Sequence, residues 1–174
     1  MAEAFLQHRL QRQGVEARVH SAGLLRAGVP ASEHGVAVLR GLGLDLGAHR
    51  STTMTKQLLQ GADLVLGMAR EHVRAAVVEE PQVWPRAFTL KELVRRGAEV
   101  GPRTEGQPFE EWLEKCHAGR LTGDLLGTSG ADDVADPIGL PRAVYERTAA
   151  ELYDLVDRLA DLAFPRRQET ADGP

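Results

Sequence analysis

Apolar side chains near the start of the chain recur at the spacing of an α-helix. Met1, Phe5 and Leu10 fall on one face, and charged or polar residues occupy the positions expected to face solvent. Gly14 then supplies a residue at which right-handed helices commonly end. The pattern predicts a helix that begins at Met1 and stops near Gly14.

From Val15 to Ser21 the pattern changes to alternation. Apolar or small side chains hold the odd positions and charged or imidazole side chains the even ones, which is typical of a strand with one buried face. A helix that leads into a parallel strand is half of a β-α-β unit, in which the helix returns the chain beside an earlier strand. We therefore expect the complete protein to have an apolar strand ahead of Met1.

Helical and strand patterns continue to alternate through the middle of the chain. Ser32 is a predicted N-cap for a helix that ends near Gly43, and Thr55–Gln60 shows a short helical pattern. Ala62–Met68 is a nearly unbroken apolar run, as expected for a strand covered on both faces. This run is predicted to be the central strand of a parallel sheet.

The next two elements follow directly. Residues 69–80 return to helical spacing, and Pro81 ends that helix. Residues 82–90 are predicted to form another strand, which Pro85 confines to an edge because proline cannot donate a ladder hydrogen bond.

The last third of the chain is predicted to contain an insertion followed by a long helix. Composition turns to Gly, Arg, Glu and Thr over about 95–131, apart from an amphipathic stretch at 109–120, and we expect a partly mobile insertion there. Pro141 suits the first turn of the last helix. That helix carries a core stripe of Leu152, Leu155, Val156, Leu159 and Leu162. We expect residues 1–164 to form one domain and 165–174 a disordered tail.

The alternation of strands and helices predicts an α/β fold of three layers, a small parallel sheet with helices on both faces. A length of 174 residues with 43% hydrophobic side chains suits one such domain. The net charge of -4 gives no basic footprint for nucleic acid, and neither a spanning helix nor a signal peptide is supported. One cysteine excludes an internal disulfide, which favours a reducing, cytoplasmic location.

Asp136 is the strongest candidate for a catalytic residue. A carboxylate in a loop stiffened by Pro137 can be aimed at a leaving group as a general acid, although an Asp before a proline is also an ordinary loop residue. Cys116 lies in a helical pattern without a glycine-rich anion cradle, which favours a partly buried structural residue over a nucleophile. The six histidines include no pair at metal-ligand spacing, so no metal site is predicted.

Five segments occur together in an order and spacing that resemble the low-molecular-weight protein tyrosine phosphatases. They are Met1–Phe5, Ser21–Gly23, Gly43–Ser51, Ala62–Met68 and Asp136–Pro137. The resemblance covers nearly the whole chain apart from the expected insertion and tail. It implies a sheet of four strands in the complete fold, of which the first would precede Met1.

The resemblance also implies a mechanism and three site residues. In the family a buried strand runs into a Cys-x5-Arg loop, whose backbone N–H groups and Arg cradle a phosphate while the thiolate attacks phosphorus, without a metal or other cofactor. By resemblance Asp136 is the general acid, and Ser21 and His49 support the phosphate loop by hydrogen bonds. Taken alone, Ser21 would be read as a turn residue and His49 as a surface loop histidine.

The sequence departs from the family pattern in two places. The 174 residues contain no Cys-x5-Arg, so the chain is expected to be truncated at its N-terminus and inactive as given. Ile138 and Gly139 follow Asp136–Pro137 where many members have aromatic residues, which weakens the expectation of phosphotyrosine specificity. The related arsenate reductases are disfavoured because their resolving cysteines are not found.

Three classes of function are compatible with the sequence to different degrees. The resemblance predicts a phosphate monoester hydrolase that acts through a phosphocysteine on a phosphorylated protein or a small phosphate monoester, as a monomer or weak homodimer. The alternative is a non-catalytic, phosphatase-like binding or regulatory protein whose remaining surface serves a partner. A nucleotide-binding domain has little support, because no glycine-rich motif opens a helix after a strand.

Overall fold

Helices of the computed structural model, which describes residues 1–126 and 130–165, surround a short parallel sheet. The helices are α1 (Ala2–Arg12), α2 (Glu33–Gly41), α3 (Lys56–Gln60), α4 (Arg70–Glu79), α5 (Leu90–Val100), α6 (Phe109–His117) and α7 (Arg142–Ala163). The strands are β1 (Val65–Gly67) and β2 (Ala87–Thr89), and short 3₁₀ helices span Pro81–Arg86 and Thr122–Leu126. No helix within the described ranges has the length and apolar character needed to cross a bilayer.

The two strands run parallel and divide the hydrophobic core. Leu66 pairs with Phe88, and both contribute to the larger core. Val65 pairs with Ala87, and both contribute to the smaller one. Because successive side chains of a strand point to opposite faces, the two cores lie on opposite sides of the sheet. The predicted α/β fold, a small parallel sheet with helices on both faces, is confirmed.

The larger core joins the sheet to five of the helices. Its buried members include Phe5 of α1, Leu39 of α2, Leu93 of α5, Trp112 of α6 and Leu159 of α7. The smaller core gathers Leu59, Val73, Ala76, Val83, Ala87 and Leu125. The helices thus supply most of the buried apolar surface, and the sheet supplies a narrow centre for it.

α1 is bound to α7 by both charge and aromatic contact. Arg9 Nε lies 2.5 Å from Asp157 Oδ1, and another Arg9 nitrogen lies 2.7 Å from Asp161 Oδ1. The rings of Phe5 and Tyr153 meet edge to face with centroids 5.7 Å apart. The Arg9 side chain is 14% exposed, but Asp157 and Asp161 are 44% and 61% exposed, so both contacts are surface ion pairs that contribute little to stability.

The helices predicted from periodicity and caps are confirmed. Ser32 Oγ accepts a hydrogen bond from Gly35 N at 3.3 Å and so caps α2, and Thr55 Oγ1 caps α3 in the same way through Leu58 N. α1, α4 and α7 also lie within a few residues of their predicted bounds. The predicted stripe of α7 is buried except at Leu162, which is partly exposed.

The strand predicted at Val15–Ser21 is wrong. These residues form no ladder, and the first strand-like contact is the isolated bridge between Gly23 and Thr53. An alternating pattern marks which face could be buried, whereas a strand also needs a neighbour for its backbone N–H and C=O groups. Among the described residues, 15–21 have no such neighbour.

The remaining strand predictions were too long. Within 62–68 only Val65–Gly67 is a strand, and within 82–90 only Ala87–Thr89 is one. Pro85 lies in the 3₁₀ helix Pro81–Arg86, not in an edge strand. The reason is local, because Glu80 Oε1 accepts a hydrogen bond from Gln82 N at 3.4 Å and the following proline favours a helical turn.

The segment at 95–131 is more deeply packed than an insertion would be expected to be. The predicted helix at 109–120 is present as α6, which buries Trp112, Leu113 and Cys116 in the larger core. Trp112 Nε1 donates to Gly101 O at 2.9 Å. Residues 127–129, and residues 166–174 of the tail predicted at 165–174, lie outside the described residues. The division into a domain at 1–164 and a tail stays a prediction.

The contact between α5 and α6 depends on a glycine. A Cβ placed on Gly97 would lie 2.9 Å from a ring carbon of Trp112 and 3.3 Å from a methyl group of Leu162. The absence of a side chain at Gly97 therefore allows the indole to pack directly against the α5 backbone.

Candidate functional site

Two of the three predicted site residues meet at one carboxylate. Ser21 Oγ donates a hydrogen bond of 2.5 Å to Glu3 Oε2, and His49 Nδ1 lies 3.6 Å from the same oxygen. The Glu3 and His49 side chains are 24% and 27% exposed, so the cluster is shielded but reachable from solvent. The structure thus brings Ser21 and His49 together through the first turn of α1.

The loops that carry these residues are tied to each other by backbone and hydroxyl contacts. Gly23 N donates to Thr52 O, and Met54 N donates to Gly23 O, each at 2.8 Å. Ser51 Oγ donates to Arg26 O at 2.9 Å and accepts from Val29 N at 3.0 Å. These bonds hold the loop that follows Ser21 against the one that follows His49.

Glu3 is the residue that sequence reasoning did not select. An acidic side chain in the first turn of a helix is common, because it interacts favourably with the helix dipole, so Glu3 carried no distinctive local signal. Its two partners lie 18 and 46 positions further along the chain. Its presence inside the Met1–Phe5 segment of the family pattern was the one available indication.

Asp136 lies in a separate loop whose flanks are well anchored. Val134 is buried and its N–H donates to Met68 O at 2.7 Å, just beyond the carboxyl end of β1. Asp136 Oδ1 accepts from Ile138 N at 3.0 Å, and Pro137 is buried beneath it. The side chain of Asp136 is exposed, and its Oδ2 accepts no hydrogen bond from the described residues. One carboxylate oxygen is therefore available to another group.

The Asp136 loop is also fastened to both helices that follow the strands. Asp133 Oδ1 accepts from Arg70 N, the first residue of α4, at 2.8 Å. Lys91 Nζ of α5 donates to Asp133 O at 2.7 Å. No recorded contact joins Asp136 to Ser21 or His49. The two regions are related only through the larger core, against which Met1, Met68 and Val134 all pack.

Cys116, the only cysteine, is placed for packing and not for nucleophilic attack. It is 1% exposed on the inner face of α6, and burial raises the pKa of its thiol to about 11, although Arg96 and Arg120 act in the opposite direction. A thiol with this pKa carries almost no thiolate at neutral pH. The described residues also contain no group of His, Cys, Asp and Glu side chains arranged to hold a metal ion.

We expect Cys116 to resist alkylation in the folded chain. At pH 7.5 iodoacetamide should label it at least about 100-fold more slowly than a free cysteine of pKa near 8.5, because the raised pKa depletes the thiolate and burial blocks access. Mass spectrometry after timed quenching measures the rate, and labelling in denaturant gives the reference for the accessible thiol. Fast labelling of the folded chain would contradict the buried, structural assignment.

Comparison with known proteins identifies the family. The family model for low molecular weight phosphotyrosine protein phosphatases matches residues 1–102. A protein-arginine-phosphatase from Geobacillus stearothermophilus is 34% identical over 162 residues, which are 92% of this chain and 84% of that protein.

Solved structures agree with this match. A low molecular weight protein tyrosine phosphatase from T. tengcongensis superposes with a TM-score of 0.68 at 32% identity, covering 92% of this chain and 87% of that one. A serine mutant of the YwlE arginine phosphatase, with its active site serine phosphorylated, gives a TM-score of 0.68 at 28% identity and covers 92% and 84% of the two chains. The chain therefore belongs to the low molecular weight phosphotyrosine protein phosphatase family.

Proposed function

We propose that this chain forms the body of a protein phosphatase that works through a phosphocysteine intermediate. The observation that carries the proposal is the family match over residues 1–102, which includes all three members of the Glu3, Ser21 and His49 cluster. The solved relative whose active site serine is phosphorylated supports a side chain of the enzyme as the acceptor of the phosphoryl group.

The nucleophile of this mechanism is not among the 174 residues, because Cys116 is buried and no Cys-x5-Arg is present. We propose that the active form carries a strand and a Cys-x5-Arg loop ahead of α1, and we call it the loop-containing form. There the loop would bind the phosphoryl group at the N-terminus of α1, where helix N–H groups favour an anion. Ser21 and His49, held by Glu3, would support the loop.

In the loop-containing form Asp136 would act as the general acid. Its free Oδ2 can protonate the leaving group as the bond to phosphorus breaks, and the resulting carboxylate can then activate the water that hydrolyses the phosphocysteine. Anchoring of the loop at Val134 and Asp133 limits its movement, which favours a fixed acid position.

We further propose phosphoarginine in proteins as the preferred substrate over phosphotyrosine. The Geobacillus stearothermophilus relative is named a protein-arginine-phosphatase. In this chain Ile138, 70% exposed, and Gly139 follow the acid loop, so no aromatic side chain is available there to stack on a phosphotyrosine ring.

We also propose that the protein acts in the cytoplasm, as a monomer or weak homodimer. Its one cysteine is buried and unpaired, which suits a reducing compartment. The expected partners are phosphorylated proteins or small phosphate monoesters.

Phosphate release from the loop-containing form tests this function. The chain is extended ahead of Met1 by its own reading frame or, if a stop codon closes that frame, by the corresponding segment of the Geobacillus stearothermophilus relative. We expect phosphate release from a phosphoarginine protein in the presence of EDTA, slower release from a phosphotyrosine peptide, and none from the 174-residue chain.

Replacing the loop cysteine by serine is the matched control and should abolish release. Faster hydrolysis of phosphotyrosine would overturn the substrate preference alone. A folded loop-containing form without activity on either substrate would contradict the proposed function and favour the non-catalytic binding protein.

A further inference from the structure

An open cavity of about 430 Å³ lies beside the Asp136 loop, at the carboxyl ends of the two strands. Four arginines line it, namely Arg70, Arg95, Arg96 and Arg120, against three carboxylates, Glu92, Asp124 and Asp132. The cavity is therefore locally basic in a chain whose net charge is -4.

The carboxylates do not satisfy the arginines one for one. Arg120 Nε lies 2.8 Å from Glu92 Oε1, and Arg96 Nε lies 3.3 Å from the same oxygen. The second contact is an ion pair without a hydrogen bond, so the buried Arg96 Nε donates to no acceptor. One carboxylate thus serves two guanidinium groups.

The other two carboxylates are also committed. Asp132 Oδ2 lies 3.3 Å from a nitrogen of Arg95, and Asp124 Oδ2 accepts a hydrogen bond of 3.0 Å from Leu121 N. No carboxylate of the lining remains for Arg70.

Arg70 differs from the other three arginines of the lining, each of which has an ion-pair partner among the described residues. Among residues 1–126 and 130–165 its guanidinium makes no recorded hydrogen bond or ion pair, although the residue is partly buried. It is the first residue of α4, and Thr89, the N-cap of α5, lines the same cavity. Two helix N-terminal ends therefore border the space, and both add positive potential to it.

We propose that this cavity is an oxyanion-binding site, which takes a phosphate or carboxylate group with Arg70 as its principal donor. Guanidinium groups match both anions in charge and hydrogen-bond geometry. The site is separate from Asp136 and from the Glu3, Ser21 and His49 cluster. Anion binding at this site requires no phosphatase activity.

Titration of the 174-residue chain with inorganic phosphate tests the site. Amide and arginine Nε signals are followed by ¹H–¹⁵N NMR at constant ionic strength with chloride as the balancing anion. We expect saturable shifts at Arg70, Thr89 and Arg96, and an affinity about tenfold weaker in Arg70→Gln, which removes one charge-assisted donor. Arg74→Gln, an exposed arginine on the same helix that does not line the cavity, should leave the affinity unchanged within about twofold.

A second titration separates the two sources of the anion. If a glutamate-containing peptide competes with phosphate and its glutamine counterpart does not, the anion is borne by a protein or peptide. If phosphate binds and neither peptide competes, the ligand is free phosphate. Shifts that rise linearly without saturation, or equal affinity in the chain and in Arg70→Gln, would overturn the proposal, whatever the outcome of the phosphatase assay.

Discussion

Replacement of Asp136 by asparagine in the loop-containing form is expected to slow phosphoryl transfer about 100-fold to 10,000-fold for substrates with poor leaving groups. The loss arises because a basic leaving group needs a proton as it departs, and asparagine cannot supply one. Asparagine keeps an oxygen that can accept the bond from Ile138 N, so the loop should hold its shape. Stopped-flow measurement of leaving-group release across a series of aryl phosphates gives the effect.

The dependence on the leaving group is the decisive part of this measurement. The loss should shrink as the leaving phenol becomes more acidic, since a stable phenoxide departs without help. Asp63→Asn is the matched control, because Asp63 is an exposed carboxylate without a recorded side-chain partner. An equal loss for every leaving group would assign Asp136 a structural role in the loop instead of proton transfer.

Trp112→Ala is expected to lower the free energy of unfolding by about 3–5 kcal/mol. For a chain of this size, that corresponds to a fall in Tm of roughly 6–20 °C. The indole is 1% exposed, packs against the backbone at Gly97 and donates to Gly101 O, so its removal leaves both a cavity and an unsatisfied carbonyl. Chemical denaturation followed by far-UV circular dichroism measures the change.

Glu114→Ala is the matched control on the same helix. Glu114 is exposed on α6 and makes no recorded side-chain contact, so its replacement should change stability by less than about 0.5 kcal/mol. A loss below about 1 kcal/mol for Trp112→Ala would show that α6 contributes little to the core. That result would support the original view of this segment as a peripheral insertion.

Helices were predictable from the sequence because their hydrogen bonds are local. Ser32 and Thr55 cap the helices that follow them, and the spacing of apolar residues in α1 and α7 marks the buried face directly. The strands could not be predicted as well, because a strand pairs with a partner that can be distant in sequence. The alternation at Val15–Ser21 was real, yet it could not show whether a neighbouring strand was present.

The composition of residues 95–131 led to the prediction of an insertion because the helix within this segment has only a narrow apolar face. α6 is rich in charged residues because its outer face is exposed, whereas its inner face consists of the buried Trp112, Leu113 and Cys116 and the partly buried Phe109. An average over the segment reports the outer face and hides the inner one. The amphipathic pattern at 109–120 predicted the helix, and its contacts with α5 and the end of α7 show how deeply it is buried.

The residues of the candidate site also differ in how far the sequence could predict them. Asp136 was selected from its own loop as well as from the family resemblance, whereas Ser21 and His49 were selected through the resemblance alone. The roles of all three stay predictions. Two features have no local signature in the sequence: the Glu3 carboxylate that joins Ser21 to His49, and the guanidinium of Arg70, which is unpaired among the described residues. Both depend on side chains that the fold brings close together. Such features need three-dimensional coordinates to be found.

The pairing of α1 with α7 has a consequence for the chain during its synthesis. α1 is complete at Arg12 and its partner only at Ala163, so at about 5–20 residues per second α7 follows α1 from the ribosome by roughly 8–30 s. Through that interval Phe5 lacks Tyr153, and Arg9 lacks both of its carboxylates. The apolar face of α1 is therefore open to chaperones, or to other nascent chains, until α7 has left the ribosome.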